Sequence, residues 1–132
     1  MPRKEGIAMR ERILAVLDGA AGALGAYAIL ERLRAEGGRV APTSVYRALA
    51  RLTEEGRVHR VESANAFVAC SHRDHDHGLP VLSICDDCGS VREHVAPDLT
   101  ETVEARVGGT GFSPRRSVIE VHGHCAECRP AR

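Results

Sequence analysis

Residues 42–70 read PTSVYRALARLTEEGRVHRVESANAFVAC, and two periodicities meet inside them. Val45, Leu49 and Leu52 recur at helical spacing, which puts them on one stripe of a helix over 42–56. Thr43 stands at the head of that helix as its N-cap, and Gly56 at its foot as its C-cap. Arg47 and Arg51, four residues apart, share another part of its surface. After Gly56 the pattern shortens to alternation. RVHRVESANAFVAC (57–70) reads as two strands around a turn at Ala64 and Asn65, where asparagine tolerates a left-handed backbone.

Working outward, two more helix patterns lie upstream. AMRERILAVLDG (8–19) gathers Met9, Ile13, Val16 and Leu17 on one face, and AYAILERLRAEGG (26–38) gathers Ile29, Leu30 and Leu33. Three short helices followed by a hairpin make the winged helix-turn-helix pattern, whose third helix enters the major groove of DNA. Downstream, SHRDHDHGLP (71–80) is polar and aperiodic, as a hinge is. Beyond it VLSIC (81–85), SVREHV (90–95) and SVIEVHG (117–123) read as strands, with a short helix near 97–109. The expected fold is α+β: a winged-helix DNA-binding domain over 1–70, a hinge over 71–80, and a small α/β domain over 81–132. The last is too small for a substantial core and needs a metal, a partner chain or both.

Composition agrees with two such halves. The chain has 132 residues, no Trp, two Phe and two Tyr, so its core rests on Leu, Val, Ile and Ala. Its zero net charge hides an asymmetry. Residues 1–62 carry 11 Lys/Arg against 8 Asp/Glu, whereas residues 63–132 carry 7 against 10. An anion-facing half is thus joined to a cation-binding half. No apolar run approaches the ~18–20 residues of a membrane span, and the N-terminus has no apolar export segment. A cytoplasmic location is expected. There thiols stay reduced, and paired cysteines are more often metal ligands than disulfides.

Four of the five cysteines form two C-x-x-C pairs, Cys85 with Cys88 and Cys125 with Cys128. Two such pairs supply the four thiolates of a closed tetrahedral zinc site, whose binding energy is folding energy. Thioredoxin-like redox chemistry fits less well, because neither pair opens a helix within a βαβ unit. A zinc deaminase would need Pro before a pair, and no Pro stands there. No nucleophile–base–orienter set is evident, so an enzyme is not expected. The fifth cysteine, Cys70, falls opposite His59 if the hairpin turns between Ala64 and Asn65. Directly opposed residues can share one metal. His72, His75 and His77 in the hinge, and Glu93 with His94 beyond it, are the candidates to complete that site. A thiolate with imidazoles and one carboxylate favours zinc over iron or manganese. Metal drawn from wing, hinge and second domain would set the angle between domains, as a sensor requires.

Taken together, PTSVYRAL, GRVHRVES, ICDDCG and VIEVHGHCAEC resemble the ferric-uptake-regulator superfamily, and within it the zinc-uptake-regulator branch. The likeness runs from about Arg12 to Cys128. It implies a homodimeric repressor that binds palindromic operator DNA when zinc is replete and silences zinc-import genes, with no small-molecule substrate and no membrane partner. It also implies two zinc ions per chain. Cys85, Cys88, Cys125 and Cys128 match the structural site, and the small α/β domain becomes the dimerisation domain. His59, Cys70 and Glu93 match the regulatory site, with His77 as fourth ligand and His72 or His75 as alternatives. Arg47 matches a base-contacting arginine, and Tyr27 a tyrosine that reaches DNA from the second helix. Thr43, Ser44 and Arg51 match groove-edge or phosphate contacts. Two departures stand out. Only MPRKEGIAM precedes Arg10, and its basic residues are expected as a flexible arm reaching DNA. Arg115 and Arg116 stand where iron-type members often carry His, which leaves His94 and His122 as candidates for a weaker third site. The alternatives within the superfamily are a redox sensor working through Cys70 or the cysteine pairs, and an iron- or manganese-responsive regulator.

Overall fold

The stripes read from the sequence become buried faces in the computed structural model, which describes residues 2–71 and 79–129. The chain divides into two units, Met1–Cys70 and Ser71–Arg132. In the first, α1 (Pro2–Asp18), α2 (Ala26–Ala35) and α3 (Pro42–Glu54) precede a hairpin of β1 (Val58–Val61) and β2 (Ala66–Ala69). Ile13, Leu14, Val16 and Leu17 of α1 join Ile29, Leu30 and Leu33 of α2 and Val45, Ala48, Leu49 and Leu52 of α3 in one core. Each fully buried aliphatic side chain contributes about 1.5–3 kcal/mol.

Three boundaries differ from the sequence reading. The segment expected as a flexible arm is helical from Pro2. Proline suits a helix start, because its missing N–H would have no intrahelical partner there. The same effect acts at α3. Pro42 is its first residue and Ala41 its N-cap, with no side-chain cap, so Thr43 lies within the first turn and does not cap it. At the far end Glu55 is the C-cap, and Gly56 follows at φ +73°. The Gly56 N–H donates to the Thr53 carbonyl (3.1 Å) and the Arg57 N–H to the Leu52 carbonyl (3.0 Å). These are the two bonds of a Schellman motif, which needs a left-handed residue at this point. It turns the chain from α3 directly into the wing.

A third strand position extends the wing. Leu24, just before α2, bridges Phe67 antiparallel, with N–H to carbonyl distances of 3.0 and 2.8 Å. A single bridging residue has no periodicity, so the sequence did not announce it.

In the second unit, β3 (Val81–Cys85) is the centre of a three-stranded sheet. It pairs antiparallel with β4 (Val91–His94) and parallel with β5 (Ile119–Gly123). The crossover to β5 runs through α4 (Pro97–Gly108). Among the described residues of this unit only Leu79, Leu82 and Cys85 are buried hydrophobic side chains. Leu99, Val103 and Val107 are half-buried along α4, while Phe112 and Val121 are exposed. So thin a core does not stabilise a domain unaided.

Candidate metal centres and nucleic-acid interface

The parallel pairing of β3 and β5 explains the long gap between the two cysteine pairs. Cys85 lies beside Gly123, so both strands end at the same edge of the sheet. The Asp86 N–H carries the ladder one step further, donating to the Gly123 carbonyl at 2.8 Å. The turn after each strand therefore delivers its cysteines to one place. In the first turn the Gly89 N–H donates to the Cys85 carbonyl (3.0 Å), and Gly89 takes φ +76°, a conformation glycine adopts without strain.

All four sulfurs, of Cys85, Cys88, Cys125 and Cys128, lie within 4.8 Å of one another, and those of Cys88 and Cys125 are 3.8 Å apart. A tetrahedron of thiolates at the 2.3 Å zinc–sulfur bond length has an edge of about 3.8 Å. The Cys85 Sγ accepts N–H bonds from Cys88 (3.5 Å) and Cys125 (3.4 Å). Those donors stabilise a thiolate and bring the Cys85 pKa down to about 6. The Ser90 hydroxyl, 3.2 Å from the Cys88 sulfur, lowers that thiol as well. Cys128 is pushed up to about 12, first by the Cys125 sulfur and then by that of Cys85. Four thiolates this close repel one another unless a cation lies among them, and four sulfur donors at tetrahedral spacing suit zinc.

His59 and Cys70 also come together, but by a different register. The hairpin pairs His59 with Val68, not with Cys70, and the Cys70 N–H donates to the Arg57 carbonyl at 2.9 Å. The connection is four residues long. A 3-10 turn over Glu62–Ala64 is followed by Asn65 at φ 48°, so the turn centre moves one residue toward the N-terminus. That displacement changes every partner by two positions and leaves every side chain on its face. His59 and Cys70 are thus diagonal neighbours on one face of the wing. Their ligand atoms lie within 4.8 Å, and both residues are buried.

Glu93 stands on β4 opposite Leu82, half-buried. Its Oε1 accepts the backbone N–H of Ser71 at 3.0 Å and lies 3.4 Å from the Ser71 hydroxyl. Ser71 is the residue that follows Cys70 in the chain. His72, His75 and His77 lie outside the described residues. The third-site candidates are apart. His94 pairs with Val81 at one end of β3 and His122 with Ile84 near the other, on opposite flanks of that strand. The His94 ring contacts the Ser83 hydroxyl (2.9 Å), while His122 sits between Asp86 (3.6 Å) and Glu120 (3.3 Å). These two histidines do not form a common site.

Burial of Val45, Leu49 and Leu52 turns the opposite side of α3 to solvent, exposing Thr43, Ser44, Arg47 and Arg51. Tyr27, second residue of α2, is 72% exposed, which excludes a core-edge role. Tyr46 is 61% exposed beside Arg47 and was not singled out from the sequence. The signal was present, since position 46 falls outside the apolar stripe.

The ferric uptake regulator family model matches residues 7–122. The zinc uptake regulation protein of Escherichia coli is 39% identical over 117 residues, covering 89% of this chain and 67% of that protein. A solved zinc uptake regulator complexed with zinc and DNA is similar at a TM-score of 0.83 and 38% identity, over 90% of this chain and 79% of that one. The crystal structure of holo XcZur is similar at a TM-score of 0.82 and 39% identity, over 90% and 82%.

Proposed function

The chain belongs to the ferric uptake regulator family, and on that premise we propose that it is a zinc-responsive repressor which binds palindromic operator DNA as a zinc-loaded homodimer and silences zinc-uptake genes. The observation that carries this reading is the buried pair of a thiol and an imidazole, Cys70 with His59, on the wing that follows α3. A sulfur donor in the regulatory site selects zinc over iron or manganese. Glu93 and a hinge histidine, His77, complete the site. Metal taken from both units ties zinc occupancy to the geometry in which the winged-helix units meet DNA.

The four-cysteine centre holds a second, structural zinc, making two per chain. Arg47 reads base edges, a contact worth about 1–3 kcal/mol of discrimination when bidentate to guanine. Tyr27, Thr43, Ser44 and Arg51 engage the groove edge and phosphates, fixing register without specifying sequence. Dimerisation runs through the second unit, where exposed Phe112 and Val121 lie on a unit with little core of its own. No described helix is long and apolar enough to cross a membrane, and a cytoplasmic regulator without enzymatic activity fits the family.

The test is operator binding titrated against buffered free zinc, wild type beside Cys70→Ser. The wild type is expected to bind only when zinc is replete. The variant, still folded and carrying its structural zinc, is expected to bind weakly at all zinc levels. An unchanged zinc dependence in the variant would exclude Cys70 from the sensor.

A further inference from the structure

An open cleft of about 770 Å³ on the first unit is lined by Ala8, Met9, Arg10 and Arg12 of α1, Arg39 and Ala41 of the loop before α3, and Ser44, Arg47, Ala48 and Arg51 of α3. Its size falls within the range of small-molecule sites, about 300–1,000 Å³, but such sites are mostly apolar. Here five of ten lining residues are arginines and none is acidic. The lining, not the size, decides what the cleft takes.

The five arginines are not equally available. The Arg12 guanidinium donates to the Leu33 carbonyl (3.1 Å) and lies 3.4 Å from Glu36. Arg51 lies 3.3 Å from Glu55. Arg10, Arg39 and Arg47 have no ion pair with any described residue. Arg47 belongs to the recognition helix. Arg10 and Arg39 do not, and no described residue offers either charge an ion-pair partner. Clustered cations without counter-charges raise the local potential and repel one another, a cost that a bound polyanion removes.

We infer that this cleft seats the phosphate backbone flanking the bases read by α3, with Arg10 and Arg39 as phosphate anchors outside the recognition helix. The inference rests on the operator-binding reading above and adds two positioning residues to it. Duplex DNA is the occupant because the cleft is continuous with Arg47 and Ser44 on the exposed side of α3. A duplex entered by that helix brings sugar-phosphate on either side of the groove. Phosphate contacts act by releasing counterions, so they show in the salt dependence of binding and not in base preference.

The experiment compares zinc-loaded wild type with Arg10→Gln, Arg39→Gln and the double variant. Affinity for operator duplex and for a scrambled duplex is measured across a salt series. Each lost phosphate contact is expected to flatten the log–log salt slope by roughly 0.9, so about 3.6 for the double variant acting as a dimer. Both duplexes should weaken by similar factors, with their ratio kept and with the melting temperature of the protein unchanged. Arg47→Gln should instead lower the ratio. An unchanged slope in the double variant overturns the proposal, and so does a loss confined to the operator. Inorganic pyrophosphate is the second probe. If it binds the wild type tightly and the double variant weakly while the DNA salt slopes coincide, the cleft is a free-anion site and the proposal fails. If the wild type itself shows no zinc-dependent operator binding, the repressor reading fails first, a result separable from all of these.

Discussion

On the proposed reading of two zinc ions per chain, His59 is the residue on which the zinc count turns. It is the one buried charged or polar side chain among the described residues, and it faces the same side of the wing as Cys70. A buried imidazole beside a thiol is costly unless hydrogen bonds or a metal satisfy it. Removing it should therefore alter metal content more than fold. In His59→Ala, metal analysis of purified protein is expected to give one zinc per chain where the wild type gives two. The circular dichroism spectrum should be kept, and operator affinity should no longer respond to zinc. Two zinc ions per chain retained by the variant would count against His59 as a ligand. The same residue marks how far local sequence reaches. The C-x-x-C pairs were legible because a short turn alone brings their sulfurs to one side. The partner of His59 depended on the length of a turn one strand away. A four-residue connection in place of a two-residue one moved the register, and only the period of two in a strand kept His59 and Cys70 on one face.

At the scale of elements, α3 is held by its ends as much as by its stripe. The stripe was legible because Val45, Leu49 and Leu52 repeat at helical spacing. The single bridge of Leu24 to Phe67 was not legible, since one residue carries no period. The C-terminal end depends on Gly56, where a Cβ would meet nothing within 4 Å yet the backbone sits at φ +73°. Substitution there thus tests conformation with no steric clash. Gly56→Ala is expected to cost about 1–2 kcal/mol, the penalty of an L-residue in the left-handed region. A domain of this size loses roughly 4–8 °C per kcal/mol, so calorimetry should show the first unit melting lower by roughly 4–16 °C. Gly56→Asn should lose less, because asparagine tolerates that conformation. Equal losses in the two variants would show that something other than backbone strain is at work.

The two units are stabilised by different means, and this governs how the whole molecule responds to loss of metal. The first unit has a core cluster of thirteen buried residues drawn from all three helices, the loop before α3 and the wing. The second has three buried hydrophobic residues among those described, and one of them, Cys85, belongs to the four-sulfur centre. A structural zinc contributes on the order of 10–16 kcal/mol, as much as the whole net stability of an ordinary domain. If the four-cysteine centre holds the proposed zinc, its loss takes away the clip where β3 and β5 end together, while the first unit keeps its core. Cys88→Ser, or strong chelation of the wild type, is therefore expected to remove hydrogen-exchange protection from β3, β4 and β5. Protection should persist in Ile13, Leu33 and Leu52. Limited proteolysis should leave a resistant fragment close to residues 1–70, and sedimentation should report monomer. Persistent protection of β3 in the metal-stripped protein would mean that the sheet stands on its own packing, and the cysteine centre would then need another role.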